Sequence, residues 1–297
     1  MTVPKVVAGL CLCAVVTAGR CSGPGDPKPS LSRAFNVMSF NIRYGTANDG
    51  PDAWPIRRPH VIAYLRQHGA DVIGLQEALR GQLDELRAAL PMYAEVGVGR
   101  DDGREAGEYA AILFNVTRFE LLAFSTFWFS DTPAVSGSRS WGNNVTRICS
   151  WARLRDRVAG RSFYVYNVHL DHESQPSRER SVAALKDSIR ARRFPEEPVI
   201  VTGDFNAGED NPAARGVAPE FHDAYRVLYP GDSSVGTFKG FRGDSTGPKI
   251  DFVFLGVGFE AVEARIDRAR TPAGRNLSDH FPVTAVVRFT TPAAVER

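Results

Sequence analysis

Five short runs in this chain set oxygen- and nitrogen-bearing side chains at the ends of apolar stretches: Ser39-Phe40-Asn41, Leu75-Gln76-Glu77, Asn167-Val168-His169-Leu170-Asp171-His172, Thr202-Gly203-Asp204-Phe205-Asn206 and Ser278-Asp279-His280. A strand end aims such side chains into a crevice at the sheet edge, where sites tend to form. The carboxylate of Glu77 and the amide of Asn41 are oxygen donors suited to a hard cation such as Mg²⁺. Asp204 and Asn206 stand two apart, so an extended chain presents both on one side. Asp279 and His280 are adjacent and point apart in a strand, but a turn there lets both reach one place. Each run has a simpler reading when taken singly. Glu77 fits a helix-start acid, Asp204-Phe205-Asn206 an Asx-turn, and Asp279 a loop residue. His169 and His172 would suit zinc, yet no cysteine pair or third histidine at metal spacing accompanies them. Their joint occurrence favours one shared site.

Positioning these residues requires a frame of strands. Phe35–Phe40 reads as a first strand, and Asp71–Leu75 as a short buried one. Between them Arg57–His68 carries Val61, Ile62 and Leu65, with Gly69 as a stop, so it reads as a helix. Gln82–Leu90 is a second helix closed by Pro91. A strand-rich middle follows over Tyr93–Val98, Tyr109–Phe114, Arg118–Phe129, Thr146–Leu154 and Ser162–Leu170, interrupted by a Gly/Asp-rich loop at 99–107. A third helix spans about Ser177–Arg193, and the strand Pro198–Thr202 leads to short helical pieces near Pro212 and Phe221. The last strands are Lys249–Leu255, Phe259–Asp267 and His280–Phe289. No linker-like break falls between Phe35 and Phe289, so the pattern predicts one domain of two packed sheets with helices outside.

With 297 residues, 43% apolar and 24% charged, the composition is that of a globular protein and excludes disordered or collagen-like classes. Lysine and arginine (36) exceed aspartate and glutamate (34) by only two, so no basic field is available to track a long nucleic acid. The chain opens with Lys5 and an apolar run from Val6 to about Ala18, which reads as a secretory signal peptide over 1–20 and is too short for a membrane span. A polar linker with Pro24, Gly25, Pro27 and Pro29 occupies 21–33, the folded domain 34–290 and a tail 291–297. The expected destination is secreted or periplasmic, with a lipid anchor at Cys21 disfavoured by Arg20. Cys11 and Cys13 leave with the signal, so no disulfide framework exists and Cys149 reads as buried filler.

Phe40-Asn41-Ile42-Arg43, Gln76-Glu77, Asn167-Val168-His169, Gly203-Asp204-Phe205-Asn206 and Ser278-Asp279-His280 together resemble the endonuclease/exonuclease/phosphatase superfamily, in order and spacing, over about residues 34 to 290. More locally, Met38-Ser39-Phe40-Asn41-Ile42-Arg43-Tyr44 resembles a bacterial exported branch. The resemblance implies an α/β fold, a four-layer α/β/β/α sandwich of two packed mixed sheets that is deoxyribonuclease-I-like. It also implies phosphoester hydrolysis dependent on Mg²⁺ or Mn²⁺. By the same resemblance Glu77 is the main metal ligand, with Asn41 and Asp279 assisting. Asp204 orients or deprotonates water, Asn206 binds a phosphoryl oxygen, and His280 meets the phosphate. Asp251 holds the other nitrogen of that histidine. His169 touches the phosphate from the opposite strand, and Arg147 faces it.

Such a set suits the reaction, because phosphodiesters need charge neutralisation and in-line placement of water more than covalent chemistry. The expected partner is therefore a phosphate ester. A nuclease acting on DNA or RNA is an alternative within the class, and a non-catalytic phosphoester-binding module or a zinc hydrolase using His169, His172 and His280 stands outside it. No glycine-flanked serine elbow supports a serine hydrolase. Arg43, Asp49, Arg100 and Glu108 read as solvated loop charges, whereas Asp171 and His172 divide evenly between substrate contacts and a turn. Phe127-Trp128-Phe129 with Trp141 reads as core packing in preference to a surface that stacks a base or a sugar.

Overall fold

The computed structural model describes residues 33–290, apart from 219 and 242–245, together with Met1. The segments expected to be a signal peptide, a linker (up to Ser32, with Cys21) and a tail therefore lie outside the described residues. No helix among the described residues is long and apolar enough to cross a membrane.

The strands are β1 (Phe35–Asn41), β2 (Val72–Ala78), β3 (Tyr93–Val96), β4 (Tyr109–Asn115), β5 (Phe119–Trp128), β6 (Ile148–Asp156), β7 (Arg161–His169), β8 (Val199–Asp204), β9 (Phe221–Asp223), β10 (Asp251–Gly256), β11 (Phe259–Ile266) and β12 (Val283–Phe289). The helices are α1 (Trp54–His68), α2 (Arg80–Ala89), α3 (Gln175–Arg190), α4 (Pro212–Arg215) and α5 (Ala224–Leu228). Six strands pair in the order β11-β12-β1-β2-β4-β3, and six in the order β5-β6-β7-β8-β10-β9. Both sheets are mixed: β1 and β2 run parallel, as do β7 and β8, while the other pairs are antiparallel.

Side-chain alternation builds the layers. Val37, Val72, Val165 and Ile200 point between the sheets, joining Phe35, Phe114, Phe119 and Phe163 in one core. Their strand neighbours point outward. Met38, Ile73 and Leu75 meet Val61 and Leu65 of α1 and Leu83 and Leu86 of α2. Tyr164, Tyr166 and Val201 meet Val182, Leu185 and Ile189 of α3. The result is the expected helix–sheet–sheet–helix sandwich. α1 starts earlier than predicted, at Trp54 with a proline in its first turn, and ends at the left-handed Gly69, whose N–H donates to Leu65 O at 3.0 Å. The piece expected to be helical near Phe221 is the short strand β9, followed by α5, because its residues pair with β10.

The sheets come into close contact near Gly74, where a Cβ would lie 2.1 Å from Thr202 Oγ1 and 2.6 Å from Asn167 Oδ1. Here Gln76 Nε2 donates to Asn167 Oδ1 at 2.7 Å, and Asn167 Nδ2 donates to Leu75 O and Ala111 O at 2.8 and 2.9 Å. Thr202 Oγ1 completes the set at 3.0 Å from Asn167 Oδ1. These fully buried side chains bond to one another across the sandwich, leaving Gln76 Oε1 without a hydrogen-bond partner, and so help fix how one sheet sits on the other. Cys149 is fully buried in the outer core, and burial raises its thiol pKa well above the ordinary range.

Candidate active site

Register assembles the centre. On the second sheet, His169 at the end of β7 lies opposite Asp204 at the end of β8, which lies opposite Asp251 at the start of β10. On the first sheet, Asn41 at the end of β1 lies opposite Gln76, next to Glu77. The two rows face each other at one edge of the sandwich. Asn41 Nδ2 donates to Glu77 Oε1 and to Asp204 Oδ2, each at 3.0 Å, bridging residues from both sheets.

Two further segments close the site. Arg57 of α1 is buried, and its Nη1 donates to Ile42 O at 3.0 Å and Leu277 O at 2.8 Å. Ser278 Oγ donates to Asn41 O at 2.8 Å. These bonds hold the 278–280 segment against the end of β1. His280 falls before β12 begins, in a bridge with Phe238, so no strand alternation separates it from Asp279. Both residues reach the same cavity.

That cavity has a volume of about 450 Å³, and its walls include Glu77, Arg147, His169, Asp204, Asn206, Asp279 and His280. Asn41 and Asp251 stand behind this lining. Three residues at its rim have left-handed backbones, which non-glycine residues seldom adopt: Arg43 (φ 59°), Glu77 (φ 60°) and Asn206 (φ 47°). Glu77 turns within a bulge of the β2–β4 pairing, and Tyr44 N–H donates to its Oε2 at 3.2 Å. Asn206 N–H donates to Asp204 Oδ1 at 2.8 Å, and Asn206 Nδ2 to Leu170 O at 3.0 Å. The Asx-turn expected of this run is thus present and also delivers Asn206 to the cavity.

Ring and charge geometry define possible roles. His280 Nδ1 donates to Asp251 Oδ2 at 2.9 Å, leaving Nε2 at 3.6 Å from Asp204 Oδ2. His169 Nε2 lies at the same 3.6 Å from Asp204 Oδ2 on the other side. Burial works against charge on His280, yet Asp251 and Asp204 outweigh it and hold its pKa well above the ordinary histidine value. Burial, with Arg147 and Arg100 nearby, pushes His169 well below that value. Asp204 is raised to about 7 by burial and by the charge of Asp251. One imidazole is therefore held cationic, one neutral, and a carboxylate between them titrates near neutrality.

Donor atoms of Glu77, Asp204 and His280 lie within 4.8 Å of one another, close enough to share a cation. Asp279 is also raised, first by burial and then by Glu77. The carboxylates of Glu77, Asp204 and Asp279 thus crowd one place, and a divalent ion there would lower their mutual repulsion. Asn41 turns its nitrogen toward Glu77 and accepts Arg43 N–H at Oδ1 (3.0 Å). Asp279 Oδ1 lies 3.1 Å from Ser278 Oγ, and its other oxygen lies 3.8 Å from Arg43 Nε.

Arg147 is buried, donates to His172 Nδ1 at 2.8 Å, and pairs through Nε with Asp171 Oδ2 at 3.6 Å, while its Nη1 has no hydrogen-bond partner. Asp171 accepts Glu173 N–H and Ser174 N–H ahead of α3, so it makes the turn, while His172 faces the cavity. The four charges read as solvated are instead partly buried ion pairs. Arg100 forks onto Glu108 at 2.7 and 2.9 Å, and Glu108 comes within 3.8 Å of His169 Nδ1. Arg43 forks onto Asp49 and approaches Glu77 at 4.0 Å. The reason is that the 99–108 loop doubles back as a hydrogen-bonded hairpin, with Arg100 N–H donating to Glu108 O, and lays both side chains over the site. Paired opposite charges within the glycine-rich loop were the available signal.

A model of the Endonuclease/Exonuclease/phosphatase family matches residues 38–280. The structure is similar to a mannosyl-6-phosphatase from Bacteroides thetaiotaomicron (30% identity, TM-score 0.79, 86% of this chain and 100% of that one). It is also similar to an endonuclease/exonuclease/phosphatase family protein of the same organism (29%, TM-score 0.80, 87% and 98%). Among curated proteins, a CCR4-Not complex 3'-5'-exoribonuclease subunit Ccr4 from Aspergillus clavatus is 27% identical over 164 residues. That match takes in 46% of this chain and only 24% of the relative's length.

Proposed function

From the premise that this chain belongs to the endonuclease/exonuclease/phosphatase family, we propose that it is a divalent-metal-dependent phosphoesterase using the cavity between the two sheets. The observation that carries this reading is Asp204, held between the neutral His169 and the cationic His280 at 3.6 Å from each. Glu77, with Asp279 beside it, would hold Mg²⁺ or Mn²⁺ through hard carboxylate oxygens, whereas Asn41, expected to assist as a ligand, turns its nitrogen toward Glu77 and would steady that carboxylate instead. When bound, the ion draws charge from the phosphoryl oxygens.

The remaining work falls to the chain's own groups. Asp204, with a pKa raised to about 7, takes a proton from the attacking water and keeps it in line. His280, kept charged by Asp251, faces a negative phosphoryl oxygen through Nε2. Neutral His169 and Asn206 contribute hydrogen bonds from the β7–β8 side. The guanidinium of buried Arg147, whose Nη1 has no hydrogen-bond partner, supplies fixed positive charge to the ester. Burial of most of these groups strengthens each interaction by excluding water.

The phosphatase and exoribonuclease activities of the relatives are both compatible with this chemistry. The net charge of +2 favours a small or local phosphate ester over a long duplex. The opening Lys5 and the Val6–Ala18 run support export as part of this proposal. The test is hydrolysis of an activated phosphodiester and of sugar, inositol and nucleotide phosphates, with and without chelator. Loss of activity on chelation, restored by Mg²⁺ or Mn²⁺, is expected. Activity indifferent to chelation, or retained by both Asp204→Asn and His280→Ala, refutes the mechanism.

A further inference from the structure

Another cavity, about 740 Å³ in volume, lies outside the site described above, between the outer surface of β5 and β6 and the exposed side of α3. Phe127, Trp141 and Trp151 give it three aromatic walls, and Arg180, Asp131 and Asp187 are its charged groups. The aromatic run therefore divides. Trp128 and Phe129 are core residues, as expected, but Phe127 and Trp141 are half-buried and open onto this groove.

Trp141 is held there at some cost. Its backbone is left-handed (φ 63°), a conformation disfavoured for a bulky residue. Its Nε1 donates to Asp131 Oδ1 at 2.8 Å, and its carbonyl accepts Ser174 Oγ–H at 2.8 Å. The Arg180 guanidinium stands 5.9 Å from the ring centre. A half-exposed indole clamped at both ends in a strained backbone is a surface kept ready for contact.

We propose that this groove binds the rings of a neutral carbohydrate. Flat indole and phenyl faces accept the C–H face of a sugar ring, while carboxylates and a guanidinium bond its hydroxyls. Asp131 uses one oxygen for Trp141, and Asp187 one for Arg190, so each keeps a second oxygen outside those bonds. Arg180 and the Arg190 that pairs with Asp187 balance the two carboxylates, so the groove has no positive excess to hold a phosphate chain, which favours a neutral sugar over a nucleic-acid strand. The segment from Trp141 runs on to Val145 and Arg147, which line the active cavity, so a saccharide held here lies beside that centre.

The test reads binding and is independent of whether any ester is hydrolysed. The full chain is titrated calorimetrically at millimolar concentration with soluble oligosaccharides from mannan, cellulose, xylan and chitin, and with a single-stranded oligothymidylate. At least one saccharide is expected to bind saturably. Trp141→Ala and Arg180→Ala should each weaken it about tenfold or more, with binding largely kept in Trp141→Phe. Arg180 is exposed on α3, so its substitution keeps the test valid if Trp141→Ala loosens the loop. Binding of no saccharide, saccharide binding indifferent to both substitutions, or oligothymidylate binding abolished by them overturns the proposal.

Discussion

Asp251→Asn isolates charge from shape. Asp251 is fully buried, and its Oδ2 takes the Nδ1–H of His280 at 2.9 Å. An asparagine oxygen accepts the same bond, so ring orientation survives while the negative charge disappears. Two groups then respond in the same direction. His280 loses the nearest charge that holds its pKa up against burial, so it falls. Asp204 loses the like charge that, after burial, raises it to about 7, so it falls too. If activity needs Asp204 ionised and His280 protonated, both limbs of the pH–rate profile move toward acid. Groups that orient a catalytic side chain typically contribute 10- to 100-fold, so kcat/KM should drop by about that factor, or ~1.4–2.7 kcal/mol of barrier. The assay is initial rates on an activated phosphodiester across about pH 5 to 9 at saturating divalent ion, with melting curves to confirm the fold. A profile whose limbs stay in place, or a rate within twofold of the wild type, would falsify the assigned roles of both residues.

Three further outcomes follow from the geometry. Asp204→Asn should abolish hydrolysis yet raise the melting temperature in metal-free buffer above neutral pH. An acid whose folded pKa is raised costs stability as pH climbs from about 4 to 7, here by up to a few kcal/mol, and an amide carries no such cost; calorimetry at two pH values checks this. Gly74→Ala would drive a methyl into Thr202 and Asn167, so urea unfolding should show a loss of about 3 kcal/mol or an insoluble chain. Cys149 should ignore a thiol reagent in the native protein and react at once in denaturant, since burial both hides it and raises its pKa.

The strands, and the residues that end them, were legible because their signals are local. Val37, Val72, Val165 and Ile200 sit in apolar runs whose alternation splits them from outward neighbours. His169, Asp204 and Asn41 stand where those runs stop. The solvated reading of Arg100 and Glu108 failed because their environment is made by a hairpin folding over the site, which loop composition does not encode. The Phe127-Trp128-Phe129 run was half read, since alternation says which residues share a face but not whether that face is covered.

The chain's order of residues, taken alone, determined the layers, the strand ends and the kinds of donor placed there, because hydrophobic periodicity and residue chemistry act over a few positions. Only the tertiary structure decided which donors meet. The register joining β7, β8 and β10 aligns His169, Asp204 and Asp251, the bulge at Glu77 turns its carboxylate inward, and Arg57 ties 278–280 to the end of β1. Distances, and with them the opposite fates of His169 and His280, depend on how two sheets pack. That packing is a sum over contacts between residues far apart in the chain, and no window along the sequence contains it.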